Sequence, residues 1–138
     1  MAKKQVKNVI IDTNIIFELL AENPLFLDEI DIIGHEFLFV SSVSVLETYY
    51  GMRKNEERQT KELFKSLNRI YIDKEIGKKA EEIMFQYRGK RPQLPDCLIA
   101  ATCLVFNLEL YTLNLKDFDY IKGLKLYKPK KYFQHSPF

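Results

Sequence analysis

The sequence predicts an α/β fold: one domain with a mainly parallel sheet of about five strands, sandwiched by helices. Three observations carry this. Short apolar runs of strand length alternate with helical patterns along the whole chain, the mark of strands joined by crossover helices. The 138 residues, 46% hydrophobic and 29% charged, suffice for one sizeable core and are too few for two comfortable domains. No internal repeat, Pro/Gly/Ser linker or low-complexity tract divides the chain, so residues 1–138 read as one unit with flexible ends at about 1–5 and 133–138.

The first strand is expected from Val6 to Asp12, with a helix following from about Asn14. "NPLFLDEIDIIG" reads as a second, short helix punctuated by Pro24 and Gly34. "EFLFVSS" is apolar and aromatic enough for a second strand, and a serine at its end can cap the helix "VSVLETYYGMRK". The charged segment "NEERQTKELFKSLNRI" has a narrow apolar stripe of Leu63, Phe64 and Leu67, which suits a surface helix leaning on the core. "RIYID" predicts a third strand. The helix "KEIGKKAEEIMFQYRGK" then carries apolar positions at Ile76, Ala80, Ile83, Met84 and Tyr87. Pro92 and Pro95 bracket a loop before "DCLIAATCLVFN", a helix apolar on nearly every side and so expected at the centre. "LELYTLN" and "LKLYK" supply strands four and five.

Bulk properties exclude more than they assert. A net charge of +2 permits nucleic acid as a partner without demanding it. No apolar run is long enough to span a membrane, and Asp12 and Glu18 interrupt any signal-peptide core after "MAKKQVKN". Cys97 and Cys103, six apart on one helix, are separated by about 9 Å along the axis, beyond disulfide reach. Two unpaired thiols and no targeting segment point to the cytoplasm.

In parallel α/β sheets, ligands gather outside the carboxyl ends of the strands. Acids occupy those positions here: Asp12 after strand one, Glu47 in the helix after strand two, Asp96 at the start of the apolar helix, and Asp117, with Asn114, after strand four. Each has a structural alternative. Asp12 would serve as a helix cap, Asp96 after Pro95 as a first-turn carboxylate favoured by the helix dipole, and Asp117 as a turn residue. Glu47 is harder to dismiss, because Val43, Leu46 and Tyr50 surround it at helical spacing and a buried carboxylate needs a counter-charge. If the sheet assembles as predicted, all four converge. Two carboxylates about 4 Å apart repel by roughly 4 kcal/mol at an effective dielectric near 20, and no Lys or Arg lies inside these motifs to neutralise them. All-oxygen ligation of Mg²⁺ or Mn²⁺, rather than zinc, is the economical answer, and such ions serve metal-dependent nucleases.

The stretches "IIDTNII", "SSVSVLETYYG" and "LPDCLIAATCLVFNLELYTLNLKDF" resemble the PIN-domain family, and more closely the VapC-type toxin ribonucleases of prokaryotic toxin–antitoxin pairs. The last stretch is the most diagnostic, joining Asp-x-x-Ile-Ala-Ala to Thr-x-Asn-x-x-Asp-Phe. The resemblance covers nearly the whole chain. It implies a metal-dependent endoribonuclease whose Mg²⁺ or Mn²⁺ is held by Asp12, Glu47 and Asp96, with either Asp117 or Asn114 at the fourth position. It also implies supporting roles for Thr13, Asn14 and Thr112, a homodimer, and a small antitoxin that covers the acidic pocket.

Arg53, Lys54, Arg88, Lys90, Arg91 and Lys116 lie beside these motifs in sequence and are candidates for RNA phosphates; a solvated charged surface is the alternative for each. The tail "KPKKYFQHSPF" offers Tyr132 and Phe133 for base stacking or for packing on the domain. His35 and His135 lack a partnered Ser or Cys motif, so no nucleophilic triad is expected. Three other readings compete: an aspartyl-nucleophile phosphatase, which usually wants a second Asp where Asn14 stands; a PIN nuclease of RNA processing; and a non-catalytic PIN-like module binding RNA or protein.

Overall fold

The computed structural model describes residues 7–130. The chain runs β1 (Val9–Ile11), α1 (Thr13–Leu20), α2 (Pro24–Ile33), β2 (Leu38–Ser41), α3 (Ser42–Gly51), α4 (Glu57–Lys65), β3 (Asn68–Ile70), α5 (Lys74–Gln86), α6 (Leu94–Phe106), β4 (Glu109–Tyr111) and β5 (Lys125–Leu126), with single 3-10 turns between several of them. Every strand pair is parallel and the order is β3-β2-β1-β4-β5. The expected five-stranded sheet is therefore present and wholly parallel.

Alternation along β1 shows why two helical layers are needed. Ile10 points to one face and joins Ile76, Ile83, Ile99, Ala100 and Leu110 under α5 and α6. Val9 and Ile11 point to the other and join Ile15, Ile16, Phe26, Ile30 and Phe64 under α1, α2 and α4. A strand buried on both faces reads as continuous apolar sequence, which is what "VII" is. The nearly all-round apolar α6 is buried along Cys97, Ile99, Ala100, Ala101 and Cys103, as its composition requires.

Local caps set the helix starts. Asn23 Oδ1 accepts from the Leu25 N–H at 3.1 Å ahead of Pro24, and Asp73 Oδ1 accepts from the Ile76 N–H at 2.9 Å. α3 begins at Ser42, one residue earlier than expected, and Ser41 caps it by accepting from the Val43 N–H. The strands are shorter than their apolar runs. Gly34, at φ 94°, turns His35–Phe37 into a 3-10 turn, so β2 begins only at Leu38. β3 begins one residue early because the Asn68 amide donates to the Glu36 and Leu38 carbonyls of the neighbouring segment.

Two sequence expectations need correction. Asp96 does not follow a strand: α5 passes to α6 through a turn at Arg88–Lys90, so three acids come from strand ends and the fourth from a helix–helix junction. Pro92 and Pro95 signal a break, and a break alone does not say what precedes it. Nor do Leu46 and Tyr50 enclose Glu47; they are 68% and 95% exposed, because α3 turns Val43, Ser44, Val45 and Thr48 inward instead. Of the tail, only Lys128, Pro129 and Lys130 are described; Tyr132, Phe133 and His135, like the N-terminal residues 1–6, lie outside the described residues.

Candidate functional site

The strand order reverses at β1: β2 and β3 are laid down on one side, β4 and β5 on the other. A crevice opens at the carboxyl ends of strands flanking such a switch point. Asp12 leaves β1 and Thr112 leaves β4 side by side there, the Asp12 N–H donating to the Tyr111 carbonyl at 2.9 Å.

Asp12 is 5% exposed. Its Oδ1 accepts from the Thr13 N–H at 2.8 Å, so it caps α1, as its structural alternative requires. Its Oδ2 accepts from the Thr112 hydroxyl at 2.8 Å and from the Asn14 amide at 3.4 Å. Capping and site membership thus coexist in one carboxylate. Thr13 donates its hydroxyl to Glu47 Oε1 at 2.7 Å, tying α1 to half-buried Glu47 on α3. Asn14 Oδ1 accepts from the Leu113 N–H at 3.2 Å, and the Asn114 N–H donates to Thr112 Oγ1 at 3.0 Å. The three supporting residues expected from sequence form one hydrogen-bonded frame around Asp12 and Glu47.

Asp96 sits half-buried in the first turn of α6. Exposed Asp117 closes a 3-10 turn after β4, its N–H donating to the Asn114 carbonyl at 3.1 Å. These two acids line one cleft of about 340 Å³ with Lys90, Arg91, Lys116 and Tyr120; Asn114 is not among its lining residues. Arg88 stacks over the Phe85 ring at 4.3 Å and donates to the Phe85 carbonyl. Arg53 and Lys54 lie in the α3–α4 connection, and neither they nor Arg88 lines the cleft. Sequence reasoning misses Tyr120. Its signal, an aromatic three residues after Asp117, is hidden among eight tyrosines.

The four acids feel one another. Burial raises the Asp96 carboxyl to about 6, and the charges of Asp12, Asp117 and Glu47 add to the rise. Asp12 is raised by burial, by Glu47 and by Asp117, against the opposing hydrogen bonds from Thr112 and Thr13. Among the described residues, ion pairs join Lys7 to Glu109, Lys65 to Glu62 and Lys79 to Glu82, and none engages these four acids. Burial also pushes the Cys97 and Cys103 thiols up, which keeps them protonated.

This donor set suits a hard cation. Among the described residues, no three acidic, His or Cys side chains close on a single point, which disfavours a dehydrated cage of the zinc type. Mg²⁺ is different: it retains several waters and is held directly by only one or two carboxylates, with substrate phosphate completing its shell. Four like charges within mutual influence, none ion-paired among the described residues, fit a hydrated divalent ion of that kind.

Comparison with known proteins agrees with the architecture. The family profile described as PIN domain matches residues 9–124. The chain is 30% identical over 130 residues to ribonuclease VapC1 of Methanocaldococcus jannaschii, covering 91% of this chain and 90% of the relative. It is 38% identical over 90 residues to ribonuclease VapC10 of Mycobacterium tuberculosis, covering 64% of this chain and 68% of the relative. Among solved structures, a toxin–antitoxin complex from Klebsiella pneumoniae aligns with TM-score 0.74 at 27% identity, over 85% of this chain and 95% of that one. DNA-bound VapBC from Salmonella typhimurium aligns with TM-score 0.80 over 88% and 97% at 19% identity, a likeness of fold. With the sheet order, the acids at its switch point and a profile match spanning the sheet from β1 to the residue before β5, the chain belongs to the PIN domain family.

Proposed function

We propose that this chain is a VapC-type endoribonuclease, the toxin of a toxin–antitoxin pair, hydrolysing RNA phosphodiester bonds at its acid cluster with Mg²⁺ or Mn²⁺. The observation that carries the reading is the coupling of Asp12, Glu47, Asp96 and Asp117 through their charges beside the switch point, with no cationic side chain ion-paired to them among the described residues. The relatives named ribonuclease VapC support the reaction class.

Asp12, Glu47 and Asp96 are the residues that would hold the cation, one or two of them directly and the rest through its waters. Asp117, which shares the cleft with Asp96, is favoured over Asn114 for the fourth position. When bound, such an ion supplies an activated water and neutralises charge on the five-coordinate phosphate. The chain's own part is orientation. Thr112 and the Thr13 N–H fix both oxygens of Asp12, and the Thr13 hydroxyl aims Glu47. Lys116 and Arg91, on the same cleft, would hold substrate phosphates.

A small antitoxin is the expected partner, as the Klebsiella relative is itself part of a toxin–antitoxin complex. A second copy of this chain belongs to the same proposal; Leu46, Tyr50 and Leu94, exposed on the helices that carry Glu47 and Asp96, are apolar surface suited to pairing. Among the described residues no helix is long and apolar enough to cross a membrane, and two buried, unpaired thiols support a reducing compartment, the cytoplasm. The test is cleavage of RNA by the purified chain with Mg²⁺, with Mn²⁺ and with excess EDTA. Cleavage that survives chelation overturns the mechanism. Growth arrest on expression that Asp12→Asn relieves identifies a toxin; its absence, with cleavage intact, points to a processing nuclease.

A further inference from the structure

We propose that the cleft beside the acids is a one-nucleotide subsite in which an unstacked RNA base lies on Tyr120 while Lys90, Arg91 and Lys116 take the neighbouring phosphates. The substrate is then a single-stranded or looped segment, because a base inside a duplex cannot reach the ring. This rests on the ribonuclease reading and adds to it the side chain that receives one base of the substrate.

The cleft lining carries both signs: Asp96, Asp117 and Asp119 stand with Lys90, Arg91 and Lys116. At about 340 Å³ it lies at the small end of the range for pockets that enclose a small ligand. Tyr120 is its aromatic wall and is built as a platform. The ring meets Tyr87 edge-on at 5.3 Å and 67°, and the Tyr87 hydroxyl accepts from the Lys122 N–H at 2.9 Å. On either side of Tyr120, Phe118 and Ile121 are buried in the core, so the turn is pinned while Tyr120 stays partly exposed.

Lys90 covers one face of the ring, its ammonium 5.2 Å from the Tyr120 centroid. An exposed cation on an aromatic face is held weakly, whereas a stacked base is held more strongly. A base displaces the ammonium, and the ammonium then meets the phosphate carried by the same nucleotide. The exchange conserves favourable contacts on both sides.

The backbone supplies an independent observation. Arg91 adopts φ 53°, a left-handed conformation costly for a residue with a Cβ, and it does so directly before Pro92, where helical conformations are disfavoured. Glycine would relax that strain. The strained turn places Arg91 in the lining of the cleft, where its guanidinium can serve a phosphate.

The experiment uses the full chain with Asp12→Asn to prevent cleavage, and short single-stranded RNAs carrying 2-aminopurine at each position in turn. Binding is expected to quench the fluorophore at one position. Tyr120→Leu, which keeps bulk but cannot stack, abolishes that quench and weakens binding about 10-fold, and Tyr120→Phe restores both. In the cleaving chain, Tyr120→Leu raises KM by a similar factor with kcat little changed. Arg91→Gly raises Tm yet weakens binding. A duplex of the same sequence gives no quench. An unaltered quench and KM in Tyr120→Leu, with wild-type cleavage normal, overturns the subsite and leaves the ribonuclease reading standing. A wild-type chain that binds and quenches but never cuts RNA overturns the ribonuclease reading instead.

Discussion

Two side-chain carboxylates among the described residues, Glu29 and Asp12, are buried, and their surroundings differ. Glu29 of α2 is fully enclosed, and its Oε2 accepts from the Tyr127 hydroxyl and, at 3.0 Å, from the Lys130 N–H. Burial, then the contact with Glu29, pushes the Tyr127 phenol well up, so it stays a donor. Asp12 also receives hydrogen bonds, but from a frame that gathers further acids around it. One carboxylate accepts from a phenol and a backbone N–H and ties the C-terminal segment to the core. The other is held in place and left with its charge unbalanced. Burial alone therefore does not mark a functional acid; the sign of what surrounds it does.

That contrast can be broken. The largest effect is expected at Asp12 or Asp96: conversion to Asn lowers RNA cleavage by about 10²–10³-fold or more while the circular dichroism melt shows the fold intact. A variant that cuts RNA as well as the parent would remove that acid from the site. Glu29→Ala should act the other way round. It leaves the Tyr127 and Lys130 donors unsatisfied and opens a gap, costing about 2–4 kcal/mol in urea unfolding, with cleavage per folded molecule unchanged. Glu29→Gln keeps an acceptor and should lose less.

Divalent metal sharpens the comparison. Saturating Mg²⁺ should stabilise the parent chain by about 1–3 kcal/mol, since it binds the folded state alone, read as a rise in Tm. Asp12→Asn should lose most of this rise and Glu29→Gln should keep it. An equal response in both variants would mean the ion binds elsewhere.

The smallest effect concerns pH. Asp96 holds its proton up to about 6 in the folded chain against 3.8 for the free group. The folded state therefore binds more protons than the unfolded state between those values, and the contribution of Asp96 is full below the lower value and lost as pH rises through the upper. After discounting for the water that reaches this half-buried group, the loss is about 1 kcal/mol in metal-free protein. Asp96→Asn should flatten that slope between pH 4 and 7; an unchanged slope would assign it to other groups.

Whether a position is legible in the amino-acid sequence depends on how it is encoded. Asp12, Asp96 and Asp117 are visible because an abrupt polar residue after an apolar run, or after a proline, marks an element boundary, and boundaries at one end of a parallel sheet share a crevice. Thr13, Asn14 and Thr112 are visible through the motifs around those acids. Tyr120 is not, since its importance lies in facing Lys90 some thirty positions earlier and in being braced by Tyr87. Glu29 reads as one more polar residue in "LFLDEIDII", because its partners Tyr127 and Lys130 are about a hundred residues away. Arg88 looks as promising as Arg91 by sequence; packing on Phe85 separates the two.

Periodicity and apolar content by themselves dictate the order of strands and helices, the parallel sheet and the acids Asp12 and Asp117 that follow its strands, because local propensity and burial act over a few residues at a time. Long-range packing decides the rest. It sets the strand order that puts Asp12 beside Thr112, exposes the flank of α3 that the helical pattern would have buried, and turns Arg91 and Tyr120 onto one cleft. Those contacts join residues tens of positions apart, and no local preference of the chain specifies them.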